Sequence, residues 1–155
     1  MCSSDLDYFT DRDDVIAALV EEELPGVLEA IIDDVDASGS IPYRLGELVS
    51  AMVRFVAADP VLGVILHQES GRLAEGPRRR IEDSHKQLSS EMTALYRQGV
   101  DDGIFRPMPA ALAGVLIQDT IMSAAKLCID GRVEDLDAVV AGVRSFLITG
   151  LGHRE

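Results

Sequence analysis

The stretch that decides the fold is PAALAGVLIQDTIMSAAKLCI, which runs from Pro109 to Ile129. Apolar side chains occupy nearly every face of the helix that this stretch predicts, and such a helix must be covered on more than one side. We expect one flank to face the chain's own core and another flank to meet something else. The predicted core flank holds Leu112, Leu116 and Ile121, and the other flank holds Val115, Met122 and Leu127.

The segment that follows carries apolar residues at spacings of three or four residues, which predicts a single helical stripe. The members of this stripe are Val133, Leu136, Val139, Val140, Val143, Phe146, Leu147 and Leu151. Together the last two helices offer a broad apolar surface that favours self-association, so we predict a homodimer. The predicted interface consists of Val115, Met122, Leu127, Val139, Val140, Val143, Phe146 and Leu147.

Length and composition indicate one globular domain, because 155 residues with 47% apolar and 26% charged residues suffice for a core. Cys2 and Cys128 form no spaced disulfide framework, which favours a reducing, cytoplasmic setting. The N-terminus shows no basic and apolar regions of a signal peptide. We predict no membrane span, because Asp119 and Lys126 interrupt the long apolar stretch.

The formal net charge is −13, from 14 Lys and Arg against 27 Asp and Glu. Such a chain repels a phosphate backbone, so we predict no nucleic-acid binding by this polypeptide alone. The one dense basic run, residues 78–80, is interpreted as the solvated start of a helix.

Periodicity along the chain predicts about six helices and an all-α fold, with no strand pattern of convincing length. Pro25 is expected to kink the first helix without ending it. Gly103 is expected to end a long amphipathic helix. The predicted helices span residues 11–36, 42–58, 60–68, 77–103, 109–129 and 133–151.

No motif makes a positive case for an enzyme, and we predict no catalytic residue, metal or cofactor. Glu82 and His85 have the E-x-x-H spacing of di-iron bundles, but the second pair that such a site requires is missing. A polar flank of an amphipathic helix is the favoured interpretation. The serines and Cys128 lack a G-x-S-x-G elbow or a nearby histidine, and no phosphate-binding glycine loop is present.

Polar residues inside apolar segments leave two interpretations open. Gln118 and Asp119 interrupt a helix that we expect to be buried, so each needs a hydrogen-bond partner, a water or a ligand. His67 either lines a cavity or caps a short helix. Met52, Met92 and Met122 fall on inner stripes, where methionine usually fills a core but also adapts to varied ligands.

Three motifs resemble the TetR family of transcriptional regulators. YFTDRDDVI, from Tyr8 to Ile16, resembles the junction between the recognition helix and the long linking helix. ALYRQGVDDGIFRP, from Ala94 to Pro107, is similar to the end of the family's seventh helix, and DLDAVVAGVRSFLITGL is similar to its ninth. The order and spacing of the motifs cover almost the whole chain.

This resemblance implies a TetR-like C-terminal helical domain that dimerises through a four-helix bundle of the last two helices. Residues 1–10 would be a remnant of the junction with the DNA-binding domain, and residues 11–155 the ligand-binding and dimerisation domain. The middle helices would form the wall of a pocket for a small, largely apolar effector. The expected pocket residues are Met52, Phe55, Leu66, His67, Met92, Tyr96, Gln118 and Met122.

The chain departs from the family at its start, where only seven residues precede Tyr8. We therefore expect the helix-turn-helix to be missing or truncated, and DNA binding only if such a module is supplied upstream. Arg12 matches the family's phosphate-contacting residue, but its acidic neighbours make it a weak contact. A partner of a full-length regulator that does not bind DNA, or a helical interaction module without a ligand, remains an alternative.

Overall fold

A computed structural model describes residues 24–58 and 75–153. Regular structure within these two ranges is entirely helical, apart from one isolated bridge between Phe105 and Gly152. The all-α prediction is therefore confirmed. The helices are α1 (Leu24–Asp33), α2 (Ile41–Ala58), α3 (Glu75–Asp101), α4 (Ala110–Ile129) and α5 (Leu136–Leu151).

Predicted and observed helix bounds agree closely for α2, α3 and α4. The start of α5 differs from the prediction, because Val133 lies before the helix. Asp135 caps α5 by accepting a hydrogen bond from the Ala138 N–H at 3.0 Å. The predicted helix over residues 60–68, the first half of the predicted linking helix and the boundary at residue 10 lie outside the described residues.

The central helix is α2, which contacts all four of the other helices described. Its residues at four-residue spacing, Leu45, Val49 and Val53, have no exposed surface. Burial of such side chains stabilises the fold by about 1.5–3 kcal/mol each. Leu28 of α1 is buried against the same core, so α1 is held by packing on α2 and α3.

The core face of α4 combines isoleucine and alanine, because Ala113, Ile117 and Ile121 are buried, so the core assignment of Ile121 is confirmed. Leu112 and Leu116 point away from the core and are 47% and 46% exposed, so their assignment to the core was wrong. Alanine at the contact allows α4 to approach its neighbours closely, and the leucines occupy the opposite side. Length and hydropathy alone would also permit α4 to cross a membrane.

The stripe predicted on α5 exists, but it faces the chain's own core. Val140, Val143 and Leu147 are at most 9% exposed within the single chain. Their assignment to a dimer interface is corrected accordingly, since a side chain already shielded by its own fold has little surface to offer a partner.

Glycines end α3 and α4 in the same way. Gly103 and Gly131 have φ values of +73° and +68°, a conformation that favours glycine. After α3, the Ile104 N–H donates to the Gly99 carbonyl and the Gly103 N–H to the Val100 carbonyl, which is a Schellman motif. The prediction that Gly103 ends this helix is confirmed.

A polar cluster joins α2 to α5. Arg144 forms an ion pair with Glu47, and its guanidinium lies 5.3 Å from the centroid of the Tyr43 ring. Gly46 leaves room for this side chain, because a Cβ there would lie 2.7 Å from Arg144 Nε. Arg54 and Asp137 form a second ion pair between the same helices, at 2.7 Å.

The loop between α1 and α2 contains a carboxylate with a perturbed pKa. The Ser38 hydroxyl donates to Asp36 at 2.7 Å and the Ser38 N–H donates at 2.9 Å. These hydrogen bonds, the one from the hydroxyl foremost, hold the pKa of Asp36 below its usual value. They favour the folded chain at neutral pH and lose their effect as acid protonates the carboxylate.

Candidate functional site

The connection from α3 to α4, residues 102–109, is tied to the body of the domain through Tyr96. This side chain is 2% exposed, and its hydroxyl donates to the Arg106 carbonyl at 2.9 Å. The same oxygen accepts from the Met108 N–H at 2.9 Å. Tyr96 thus fixes the connection at two successive points while its ring stays in the core.

Phe105 anchors the same connection from its other side. Its ring stacks on Tyr96, with 6.1 Å between centroids and 12° between planes. Two backbone bonds link the connection to the end of α5: the Arg106 N–H donates to the Leu151 carbonyl, and the His153 N–H donates to the Ile104 carbonyl. Sequence analysis missed Phe105, which belongs to no helical stripe.

Substituting Tyr96→Phe should destabilise the chain by about 1–2 kcal/mol, because the Met108 N–H and the Arg106 carbonyl lose their partner in a partly buried setting. Urea unfolding followed by circular dichroism measures this loss. Tyr43→Phe is the matched control, since Tyr43 is 43% exposed and its hydroxyl has no hydrogen bond to any described residue. Equal stability of the two variants would contradict the assigned role.

A small enclosed space lies between α3 and α4 beside Tyr96. Its volume is about 10 Å³, which is room for roughly one water molecule. Of the predicted pocket residues, the structure brings Met92, Tyr96 and Gln118 together here. The remaining lining residues, which sequence analysis missed, are Ser89, Thr93, Ala110, Ala113, Gly114 and Ile117.

The other predicted pocket residues lie elsewhere. Met52 is buried at 2% exposure in the central core, and Phe55 and Met122 pack against that core without lining the enclosed space. Their assignment to an effector pocket stays a prediction. Leu66 and His67 fall outside the described residues, as does Arg12.

An open groove lies directly above the enclosed space. It has a volume of about 390 Å³ and shares Ser89, Thr93 and Gln118 with the space beneath. Its rim adds His85 and Arg97 from α3 and Val115 and Asp119 from α4. Three of the residues that line the groove on α4 are small, and these are Ala110, Ala111 and Gly114.

The expectation that Gln118 and Asp119 are buried was wrong. Gln118 is half-buried at the boundary between the enclosed space and the groove, and Asp119 is exposed at the rim. No polar or charged side chain is buried among the residues that the structure describes. Gln118, Ser89 and Thr93 are therefore the polar residues shared by the enclosed space and the groove, which an occupant would meet at the mouth of the space.

The E-x-x-H pair shows no metal-site geometry in the part of the chain described. Glu82 and His85 lie on α3, and both interact with other groups of the protein. Within residues 24–58 and 75–153, no three His, Cys, Asp or Glu side chains are grouped to hold a metal ion.

Several large apolar side chains remain exposed on α4 and α5. Val115 is 55% exposed, and Phe146 of α5 is 69% exposed. With Leu112 and Leu116 of α4 they make up what we call the outer apolar face. Of the other predicted interface residues, Met122, Leu127 and Val139 are half-buried.

Comparison with known proteins places this helical domain among transcriptional regulators. The family described as tetracyclin repressor-like, C-terminal domain matches residues 38–126, more than half of the chain. The chain belongs to this family. Members of the family are regulators rather than enzymes, and nothing in the described residues indicates catalysis.

The curated relative HTH-type transcriptional repressor KstR2 of Mycobacterium tuberculosis is 29% identical over 115 residues. The match covers 73% of this chain and 58% of KstR2, so the chain spans less than two thirds of that relative's length. The solved structure of KstR2, described as a ketosteroid transcriptional regulator, is similar with a TM-score of 0.81 at 24% identity, covering 99% of this chain and 80% of that one.

Two further solved structures share the fold. Bacillus subtilis FadR in complex with stearoyl-CoA is similar with a TM-score of 0.70 at 20% identity, covering 97% of this chain and 82% of FadR. AibR in complex with isovaleryl coenzyme A and operator DNA is similar with a TM-score of 0.73 at 16% identity, covering 92% of this chain and 78% of AibR. At these identities the similarity shows the fold alone.

Proposed function

We propose that this chain is the effector-sensing and dimerisation domain of a cytoplasmic TetR-family repressor. A small, largely apolar effector would bind between α3 and α4 and control the DNA binding of the full-length protein. The observation that carries the proposal is the family match over residues 38–126, together with the enclosed space beside Tyr96.

The chemistry of the enclosed space supports an apolar occupant. Met92 and Ile117 line it with hydrocarbon, and Ser89, Thr93 and Gln118 supply polar groups where it meets the groove. A volume of about 10 Å³ is too small for an effector, so binding requires α3 and α4 to separate locally. Met92 suits such an opening because its unbranched side chain repacks readily.

The route from this space to the DNA runs through α1. In the family's arrangement α1 is the end of the linking helix, and here it packs against α3, which forms one wall of the space. An effector that binds more tightly to one spacing of α3 and α4 shifts the population toward the matching tilt of α1. In a dimer, that tilt would set the separation of two DNA-reading heads.

The outer apolar face supports dimerisation. Exposed large apolar side chains on two adjacent helices indicate a surface that is covered in solution. A two-fold axis would bring the α4 and α5 faces of two copies together in a four-helix bundle.

Two measurements test the proposal on the purified chain. Analytical ultracentrifugation should give twice the chain mass of 16.8 kDa at micromolar concentration. Titration with 1-octanol, an uncharged apolar probe, should raise the melting temperature because a ligand of the folded state stabilises it. A monomeric mass contradicts the dimer, and an unchanged melting temperature contradicts the apolar effector site.

The small volume of the enclosed space favours a second candidate, a helical interaction module without a ligand. In that case the outer apolar face would contact a different protein. A chain that is monomeric and unaffected by octanol supports this second candidate over the first.

A further inference from the structure

The groove between α3 and α4 and the outer apolar face meet at one residue. Val115 lines the groove, and it is also 55% exposed as a member of the outer apolar face. Ala111, about one turn earlier on α4, lines the groove with it. Among the described residues that line the groove, Val115 has the largest apolar side chain. The apolar wall of the groove therefore ends where the outer apolar face begins.

Two adjacent rows of side chains on α4 explain this meeting point. Ala111 and Val115 are separated by four residues and form the row beside the groove. Leu112 and Leu116 form the next row, and they are 47% and 46% exposed. The two rows are separated by about 100° around the helix axis, because an α-helix has about 3.6 residues per turn. A body that covers the leucine row therefore also reaches Val115.

The effector site is open on this side within a single chain. The enclosed space beside Tyr96 has a volume of about 10 Å³, whereas the groove above it has about 390 Å³, so a larger occupant extends into the groove. Arg97 of α3 and Asp119 of α4 give the groove opposite charges, which favours an uncharged occupant. Such an occupant leaves apolar surface in water, and this costs free energy unless another surface covers it.

A second copy of the chain is the partner that the exposed side chains favour. Phe146 of α5 is 69% exposed, and a ring of this size on an apolar face indicates a surface that is covered in solution. In a two-fold dimer the same patch meets itself, so Phe146 of one copy can lie against the leucine row of the other. One copy then covers the groove edge of the other at Val115, and symmetry makes the two effector sites equivalent.

We propose that the partner copy completes the effector site by forming the outer wall of the groove at Val115. An apolar effector occupies the enclosed space beside Tyr96, extends into the groove and contacts both copies. Effector binding and dimerisation then strengthen each other by the same factor, because the coupling between two binding equilibria is reciprocal. This inference rests on the proposed effector function and adds that one chain alone holds only part of the site.

Titration of the 155-residue chain with 1-decanol and 1-butanol tests the inference. Decanol is long enough to extend from the opened space into the groove, whereas butanol is not. Saturating decanol should lower the dimer dissociation constant of the wild-type chain about a hundredfold, as sedimentation over a dilution series measures. This factor is about ten for each of two sites, since covering about two methylene groups is worth that much. Butanol should leave the constant unchanged.

Phe146→Asp gives the reciprocal measurement, because it removes the partner. The monomeric variant should bind decanol about tenfold more weakly than the wild type in calorimetric titration, and it should bind butanol equally well. Ser145→Asp is the matched control, since Ser145 is exposed and lines a depression with Tyr43 rather than the groove. This control should match the wild type with both alcohols. Circular dichroism checks folding, and the wild-type dilution series is independent of either variant.

The possible outcomes separate this inference from the proposed function. Equal decanol affinity in Phe146→Asp and the wild type, or a dimer dissociation constant that decanol does not change, overturns the inference alone and leaves the site within one chain. An equal loss of decanol binding in Ser145→Asp overturns it as well, and so does a Phe146→Asp variant that stays dimeric. A wild-type chain that binds neither alcohol, or that is monomeric, contradicts the proposed function too.

Discussion

Replacing Phe146 with aspartate should convert the chain from a dimer to a monomer at micromolar concentration. Phe146 is 69% exposed in the single chain, the largest exposure among the large apolar side chains described. In a two-fold interface each copy contributes this ring, so one substitution acts twice. Loss of about 3 kcal/mol of apolar burial per copy weakens association by at least about a thousandfold.

The fold of the monomer should survive this substitution. Phe146 lies off the buried stripe of α5, which consists of Val140, Val143, Leu147 and Leu151. Ser145→Asp is the matched control, because it adds the same charge one residue earlier, at an exposed position that lines a depression with Tyr43 instead. Sedimentation of both variants, with circular dichroism for folding, separates a lost interface from a lost fold.

A dimeric Phe146→Asp variant would show that the outer apolar face is not the interface. Dissociation of both variants would point to a general effect of charge on α5. The prediction thus distinguishes the exposed ring from the buried stripe, which the sequence pattern could not do.

The sequence predicted the two last helices but not which of their sides faces inward. On α4 nearly every side is apolar, so periodicity contains little directional information. The size of the side chains was also a poor guide, because large leucines are expected in a core. The structure buries Ile117 and Ile121 together with Ala113 and Ala124, and it leaves Leu112 exposed, so size did not decide which side faces inward.

The α5 stripe was correctly recognised as apolar and was assigned to the wrong contact. A helix at the end of a small domain needs one stripe for its own core, and that stripe is the one at regular spacing. Phe146 follows Val143 at a spacing of three residues, so the pattern placed it on the same stripe, whereas the structure leaves its side chain 69% exposed.

The site was predicted in part, because pocket residues depend on how helices are placed against each other. Met92, Tyr96 and Gln118 meet as expected for neighbouring helices. The tyrosine hydroxyl, however, contacts the backbone of Arg106 and Met108, which lie in an irregular connection. No periodic pattern predicts the path of such a connection, so Phe105 and its contacts could only be found in the structure.

Gly99→Ala should lower the stability of the chain by about 3 kcal/mol, the upper part of the usual range for overpacking a core. A Cβ at Gly99 would lie 2.2 Å from Cδ2 of Phe105, far inside van der Waals contact. Phe105 is 1% exposed and stacks on Tyr96, so its ring has no free space to occupy. The expected fall in melting temperature is about 6–12 °C.

Backbone bonds prevent the connection from relaxing outward. The Gly99 carbonyl accepts from the N–H groups of both Ile104 and Phe105, at 2.8 and 3.0 Å. The far side of the connection is bonded to Leu151 and His153. A methyl group at position 99 therefore has to displace a segment that is held at both edges.

Gly76→Ala is the matched control on the same helix, because a Cβ there meets nothing within 4 Å. Alanine is the better helix former, so this variant should melt at or slightly above the wild-type temperature. Differential scanning calorimetry compares the two. A Gly99→Ala variant as stable as Gly76→Ala would contradict the close packing of Phe105 on α3.

The same substitution also links the stability of the connection to the effector site. Displacement of Phe105 moves the ring on which Tyr96 stacks, and Tyr96 lines the enclosed space between α3 and α4. Because that space must open to admit an apolar chain, a strained Phe105 lowers the cost of opening it. Gly99→Ala should therefore bind 1-octanol at least as tightly as the wild type despite its lower stability, as calorimetric titration below its melting temperature will measure. Weaker binding would mean that Tyr96 must keep its present position for the effector site to form.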